Sequence, residues 1–151
     1  MKDKPDYNDA DLVLRVYEMR REATMRESRK AILASFWPRS VEDVAAVMQP
    51  DHPLNAAWRQ TSSYWEMVYG MVKHEIVHGD YFMESNGEGL LLFAKLQPLL
   101  EDLRKSYSPT MFQNAEWVAT RTETGRKMLV MFQGRLVKMR EALEARALAG
   151  S

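Results

Sequence analysis

Trp58, Ser62, Trp65, Tyr69, Val72 and Ile76 recur at alternating spacings of four and three. That is one continuous helix face, because an α-helix returns to the same side about every 3.6 residues, whereas a strand does so every second residue. The pattern repeats along the chain. Leu92, Leu96, Leu99, Leu103 and Tyr107 form a second stripe, and Leu129, Phe132, Leu136, Met139 and Leu143 a third. No segment shows strand alternation. Such a chain has to bury helices against helices, which predicts an all-α fold, an irregular helical bundle.

Glycine and proline fall mostly between the periodic segments and set their limits. Asp9 can cap a first helix that Pro38 stops, so it runs to about Trp37. Ser40 suits the N-cap of a short helix over 41–48, with Glu42 and Asp43 in its first turn. A turn over 49–53 leads into the third helix, about 54–77, where Gly79 suits a left-handed C-terminal cap. A fourth helix follows the Asn86–Gly89 break, with a kink or restart at Pro98. Ser108-Pro109 can begin a fifth helix through Trp117. The last runs from about Glu123 to Leu148. This gives four substantial helices and two short ones in one domain, residues 1–151, with an ordered core over about 9–148 and loose termini. Gly70 and Gly134 each cost a helix about 1 kcal/mol relative to Ala. Close helix–helix approach is the expected reason for both.

Composition narrows the function classes. The chain has 21 Lys plus Arg against 21 Asp plus Glu, so it lacks the basic surplus of a protein built to grip nucleic acid. It has no cysteine, which removes disulfides, thiol catalysis, thiolate zinc sites and iron–sulfur clusters together. No signal-peptide-like apolar stretch follows the start, and the longest apolar run, Leu90 to Ala94, is too short to span a membrane. A cytoplasmic chain with no membrane segment is expected.

One motif has a catalytic look. His74-Glu75-Ile76-Val77-His78 matches the HExxH pattern of zinc metallopeptidases. On a helix, a spacing of four puts both imidazoles on one side to hold zinc, and the glutamate between them serves as general base on bound water. A third protein ligand is then needed. The only other histidine, His52, lies upstream, which leaves Glu101, with Glu88 a weaker choice. Gly79 would end the helix directly after the motif, which favours instead a helix C-terminus carrying two donor side chains.

The segment 20–30 is the densest charge cluster, but Glu22 and Glu27 are interleaved with Arg20, Arg21, Arg26 and Arg29. A solvated face or a contact between subunits fits it better than an RNA stripe. Trp58, Tyr64, Trp65 and Tyr69 have core spacing rather than that of a stacking platform, and the eleven methionines read as core filler. Neither a phosphate loop nor a serine nucleophile elbow is present.

The stretch 63–72 (Ser-Tyr-Trp-Glu-Met-Val-Tyr-Gly-Met-Val), then His78-Gly79-Asp80, Leu96-Gln97-Pro98-Leu99-Leu100 and Tyr107, resembles a family of uncharacterised bacterial helical proteins known only as a domain of unknown function. The resemblance covers roughly residues 58–118. It implies an all-α fold and no metal triad at His74, Glu75 and His78, and it supplies no activity. The expectation is a non-enzymatic interaction or regulatory module with no cofactor, whose partner is a protein or a second copy of itself. The alternative is a zinc hydrolase with His74, His78 and Glu101 as ligands and Glu75 as base.

Overall fold

The computed structural model describes residues 2–150, in which every regular element is helical. In order these are α1 (Tyr7–Arg21), α2 (Ala23–Ser35), α3 (Val41–Val47), α4 (Asn55–Lys73), α5 (Gly79–Ser85), α6 (Glu88–Leu96), a 3-10 turn (Gln97–Leu99), α7 (Leu100–Ser106), α8 (Gln113–Arg121) and α9 (Glu123–Ala149). None of them is long and apolar enough to cross a membrane. Met1 and Ser151, at the two termini expected to be loose, lie outside the described residues. The helical class is as expected, but the elements are more numerous and shorter.

α4 and α6 carry the centre of the core. Trp65, Val68, Tyr69 and Val72 of α4 are buried, as are all of Gly89 to Leu96 in α6. Every α-helix contributes to the same apolar cluster, down to Val16 of α1 and Val44 and Val47 of α3. The aromatic residues of α4 are core, as their spacing predicts. Trp65 sits with its ring centroid 5.0 Å from Tyr64 and 5.4 Å from Tyr69, and Trp58 packs edge-on against Phe36 and Phe112.

Several local expectations need correction. The first helix is two, broken at Glu22, whose carboxylate accepts from the Thr24 and Met25 amides at 3.0 Å each. The charged middle has no apolar stripe to hold a straight rod on the core, and the break lets Val16 and then Met25 and Ile32 both reach it. α8 starts at Gln113 rather than at Pro109, behind Phe112 in the left-handed region (φ 56°). Its first-turn donors are satisfied from another helix: Glu66 of α4 accepts from Asn114 N at 3.1 Å and Ala115 N at 2.8 Å. Burial lifts the Glu66 carboxyl above its ordinary value despite those two bonds.

The remaining corrections concern single positions. Asp6, not Asp9, caps α1, and Asp9 completes the capping box from the third helical position by accepting from the Asp6 amide at 2.8 Å. Gly79 does not cap α4; it opens α5, and a Cβ there would lie 3.1 Å from Thr122 Cγ2. Gly70 fits the close-approach reading, since a Cβ would lie 3.0 Å from Asn114 Nδ2, but among the described residues nothing beyond its own stretch of helix comes within 4 Å of a Cβ at Gly134. Elsewhere local signals agree with the structure. Ser40 caps α3, Pro98 sits in the 3-10 turn between α6 and α7, and α9 begins at Glu123 with Thr122 as its cap.

Candidate functional site

The HExxH segment does not lie on a helix. α4 ends at Lys73 with His74 as its C-cap, Glu75 turns left-handed (φ 58°), and His78 is the N-cap of α5. The chain therefore reverses between the two imidazoles. His78 Nδ1 accepts from Tyr81 N at 3.1 Å, while its own amide donates to Asp9 Oδ1 at 2.8 Å. Asp9 is fully buried. Burial pushes its carboxyl up, but the Asp6 and His78 amides and the Lys2 ammonium outweigh it and hold the value below the ordinary one. Ile76, expected on the buried stripe, is 55% exposed because that stripe stops at the chain reversal.

The residues considered as a third ligand are engaged elsewhere. Glu101 has an 84% exposed side chain and pairs with Lys105 at 3.0 Å. Glu88 takes a bidentate contact from Arg29, at 2.7 and 2.6 Å. Among the described residues, no three His, Asp or Glu side chains come together as a cation site.

The charge cluster divides in two. Arg20 and Arg29 point inward and tie elements together. Arg20 donates to Asn86 Oδ1 at 2.6 Å and lies 5.8 Å from the Trp65 ring, while Arg29 also donates to the Arg20 carbonyl at 3.1 Å. Arg21 and Arg26 are exposed. A basic stripe for RNA is not formed by these four residues.

Two surfaces are left with features that the core does not explain. The first is the outward side of α9. Phe132 and Leu136 bury its inner side, as the heptad stripe predicts. Opposite them lie Val130 (69% exposed), Gly134 and Val137 (55% exposed), with Met131 beside them. A mid-helix glycine that nothing approaches carries its propensity cost with no packing return inside the protomer.

The second is a half-open cleft of about 400 Å³ between the end of α2, the turn after α6 and the outer part of α9. Lys95 lies at its floor, 1% exposed. Its ammonium donates to the carbonyls of Ile32 (3.3 Å), Leu33 (2.9 Å) and Phe36 (3.0 Å), which end α2, and it sits 4.0 Å from the centroid of the Trp37 ring. The Ile32 carbonyl also accepts from the Phe36 amide at 3.1 Å, whereas those of Leu33 and Phe36 are ones a helix C-terminus leaves open, so a cation is the fitting group there. Burial, with Arg140 nearby, pulls Lys95 down to about 8. Lys95 was missed in the sequence, although a single cation closing the run from Leu90 to Ala94 in the most apolar helix was a visible signal.

No curated protein and no solved structure matches the chain. The family match begins at Asp6, which caps α1, and ends at Thr122, which caps α9, so it takes in the first eight α-helices and stops before the last. It reaches well beyond the central stretch that carries the resemblance, and it brings no activity with it. By that match over residues 6–122, the chain belongs to the family described as a domain of unknown function (DUF4760).

Proposed function

We propose that this protein is a non-enzymatic interaction module that pairs with a second copy of itself through the outward side of α9. One observation carries the reading: an apolar strip on the solvent side of that helix, centred on a glycine that no other described part of the chain approaches. Small residues let two helix backbones come close, and a two-fold axis makes such a contact self-complementary. An antiparallel pair crossing near Gly134 sets Val130 against Val137 of the partner subunit. The same register brings Arg126 opposite Glu141 of the partner subunit, so that flanking pair attracts. This differs from the heptad stripe as a basis for pairing, because that stripe is used inside the protomer.

Light scattering after size exclusion tests the reading, with Gly134→Leu as the discriminating variant. A side chain there meets nothing within the protomer, so the variant should fold and gain about 1 kcal/mol of helix propensity. It should nevertheless run as a monomer where the natural chain runs as a dimer, as should Val137→Glu. A natural chain that stays monomeric at high concentration, or a Gly134→Leu protein that still dimerises, defeats the proposal.

A further inference from the structure

The Lys95 cleft has a charge pattern that the pairing of α9 does not use. Three cations, Arg39, Lys95 and Arg140, line it against one carboxylate, Glu144. Buried charge in proteins is ordinarily matched by opposite charge, because a low-dielectric site magnifies any imbalance. Of the three, Lys95 is buried, Arg140 half-buried and Arg39 exposed, and among the described residues no carboxylate lies within ion-pair distance of any of them. Lys95 spends its donors on carbonyls, which satisfies its hydrogen bonds and leaves its charge uncompensated. Arg39 and Arg140 have no hydrogen-bonding partner for their guanidinium groups among the described residues. They stand at the rim with donors to offer.

The rest of the lining is flat and apolar. The Trp37 indole is anchored by its Nε1, which donates to the Ala34 carbonyl at 3.1 Å, and Pro98, Leu99 and Leu143 complete the wall. The volume falls in the range of small-molecule sites, which combine apolar walls with a few placed polar groups. We propose that this cleft binds an organic anion, a carboxylate or phosphate monoester carried on a flat apolar body. The anionic group lies between the Arg39 and Arg140 guanidiniums, whose forked donors suit either oxyanion. The body lies against Trp37 and Pro98. Lys95 contributes its field from below without touching the ligand.

The Trp37 indole N–H resonance, assigned by its loss in Trp37→Phe, reports on the cleft. Phenyl phosphate and phenylacetate are the probes, with benzyl alcohol as the neutral control. At least one anion should give a saturable shift of that resonance at up to millimolar concentration, and benzyl alcohol none. Arg39→Gln and Arg140→Gln leave no buried partner behind, so both should fold, and each should weaken binding about tenfold. Whichever anion binds more tightly identifies the oxyanion the cleft prefers. The proposal is overturned by an unmoved resonance with both anions, by equal binding of the neutral control, or by full affinity in the Arg39→Gln/Arg140→Gln double variant. The protomer's ability to dimerise does not enter these readouts, so this inference and the pairing of α9 stand or fall separately.

Discussion

Lys95 makes the stability of the chain depend on pH in a direction opposite to that of a surface lysine. Its value falls from 10.5 to about 8 on folding. Below pH 8 it is charged in both states, and folding carries the full cost of the buried ammonium. Above that pH the folded chain releases the proton while the unfolded chain keeps it, so stability rises through about 8 to 10. Tyr64 then turns the curve over. Burial raises it from 10.0 to about 12, so above pH 10 the unfolded chain ionises first and stability falls. The melting temperature should therefore climb between pH 8 and 10 by the equivalent of about 2 kcal/mol, and that slope should vanish in Lys95→Met. A flat profile in the natural protein contradicts this account of Lys95. Single residues were the least legible level of the sequence. His74, Glu75 and His78 have suitable chemistry at a suitable spacing. What separates them includes a bond from the His78 amide to Asp9, 69 residues away, which no local pattern encodes.

Among the elements, α8 shows how far a helix start can depend on its neighbours. Its N-cap, Phe112, offers no side-chain acceptor, and Glu66 serves the first turn instead. Glu66→Ala should cost about 2 kcal/mol, the range for hydrogen bonds to a charged group, and Glu66→Gln about half of that. Chemical denaturation measures both, and a loss below about 0.5 kcal/mol for the alanine variant would mean α8 is held by packing alone. Ser40 and Thr122 were readable in advance because their caps are local and of the usual residue types. Glu22 also caps locally, yet glutamate is not among those types, and the α1–α2 break went unseen. The core stripes of α4 and α9 were legible for a simpler reason. Burial selects for helical period regardless of what lies on the other side.

For the molecule as a whole, α9 is the element on which completeness turns. It lies beyond the family match but packs Phe132 and Leu136 into the same cluster as α6 and α8, with Met128, Leu129 and Met139 against it. Each fully buried apolar side chain is worth about 1.5–3 kcal/mol, so the loss approaches the whole stability of an ordinary domain. A chain ended after Thr122 should keep helical circular dichroism but lose its cooperative melt; a sharp transition in that fragment would show that α9 is an accessory. The two bridges between α2, which packs mainly on α4, and α6 have a different consequence. Arg29 holds the first turn of α6 through Glu88, and Lys95 at the far end of α6 holds the last carbonyls of α2, so the two helices run the same way. Residues joined in this way are 59 to 63 apart in sequence, with α3, α4 and α5 in between. Such a parallel pair cannot form as a hairpin; the chain must first bring distant segments together, and the entropy of closing that loop is spent before either contact returns anything. The individual helices form on a microsecond scale, so these two bridges are expected to close after the helices that carry them.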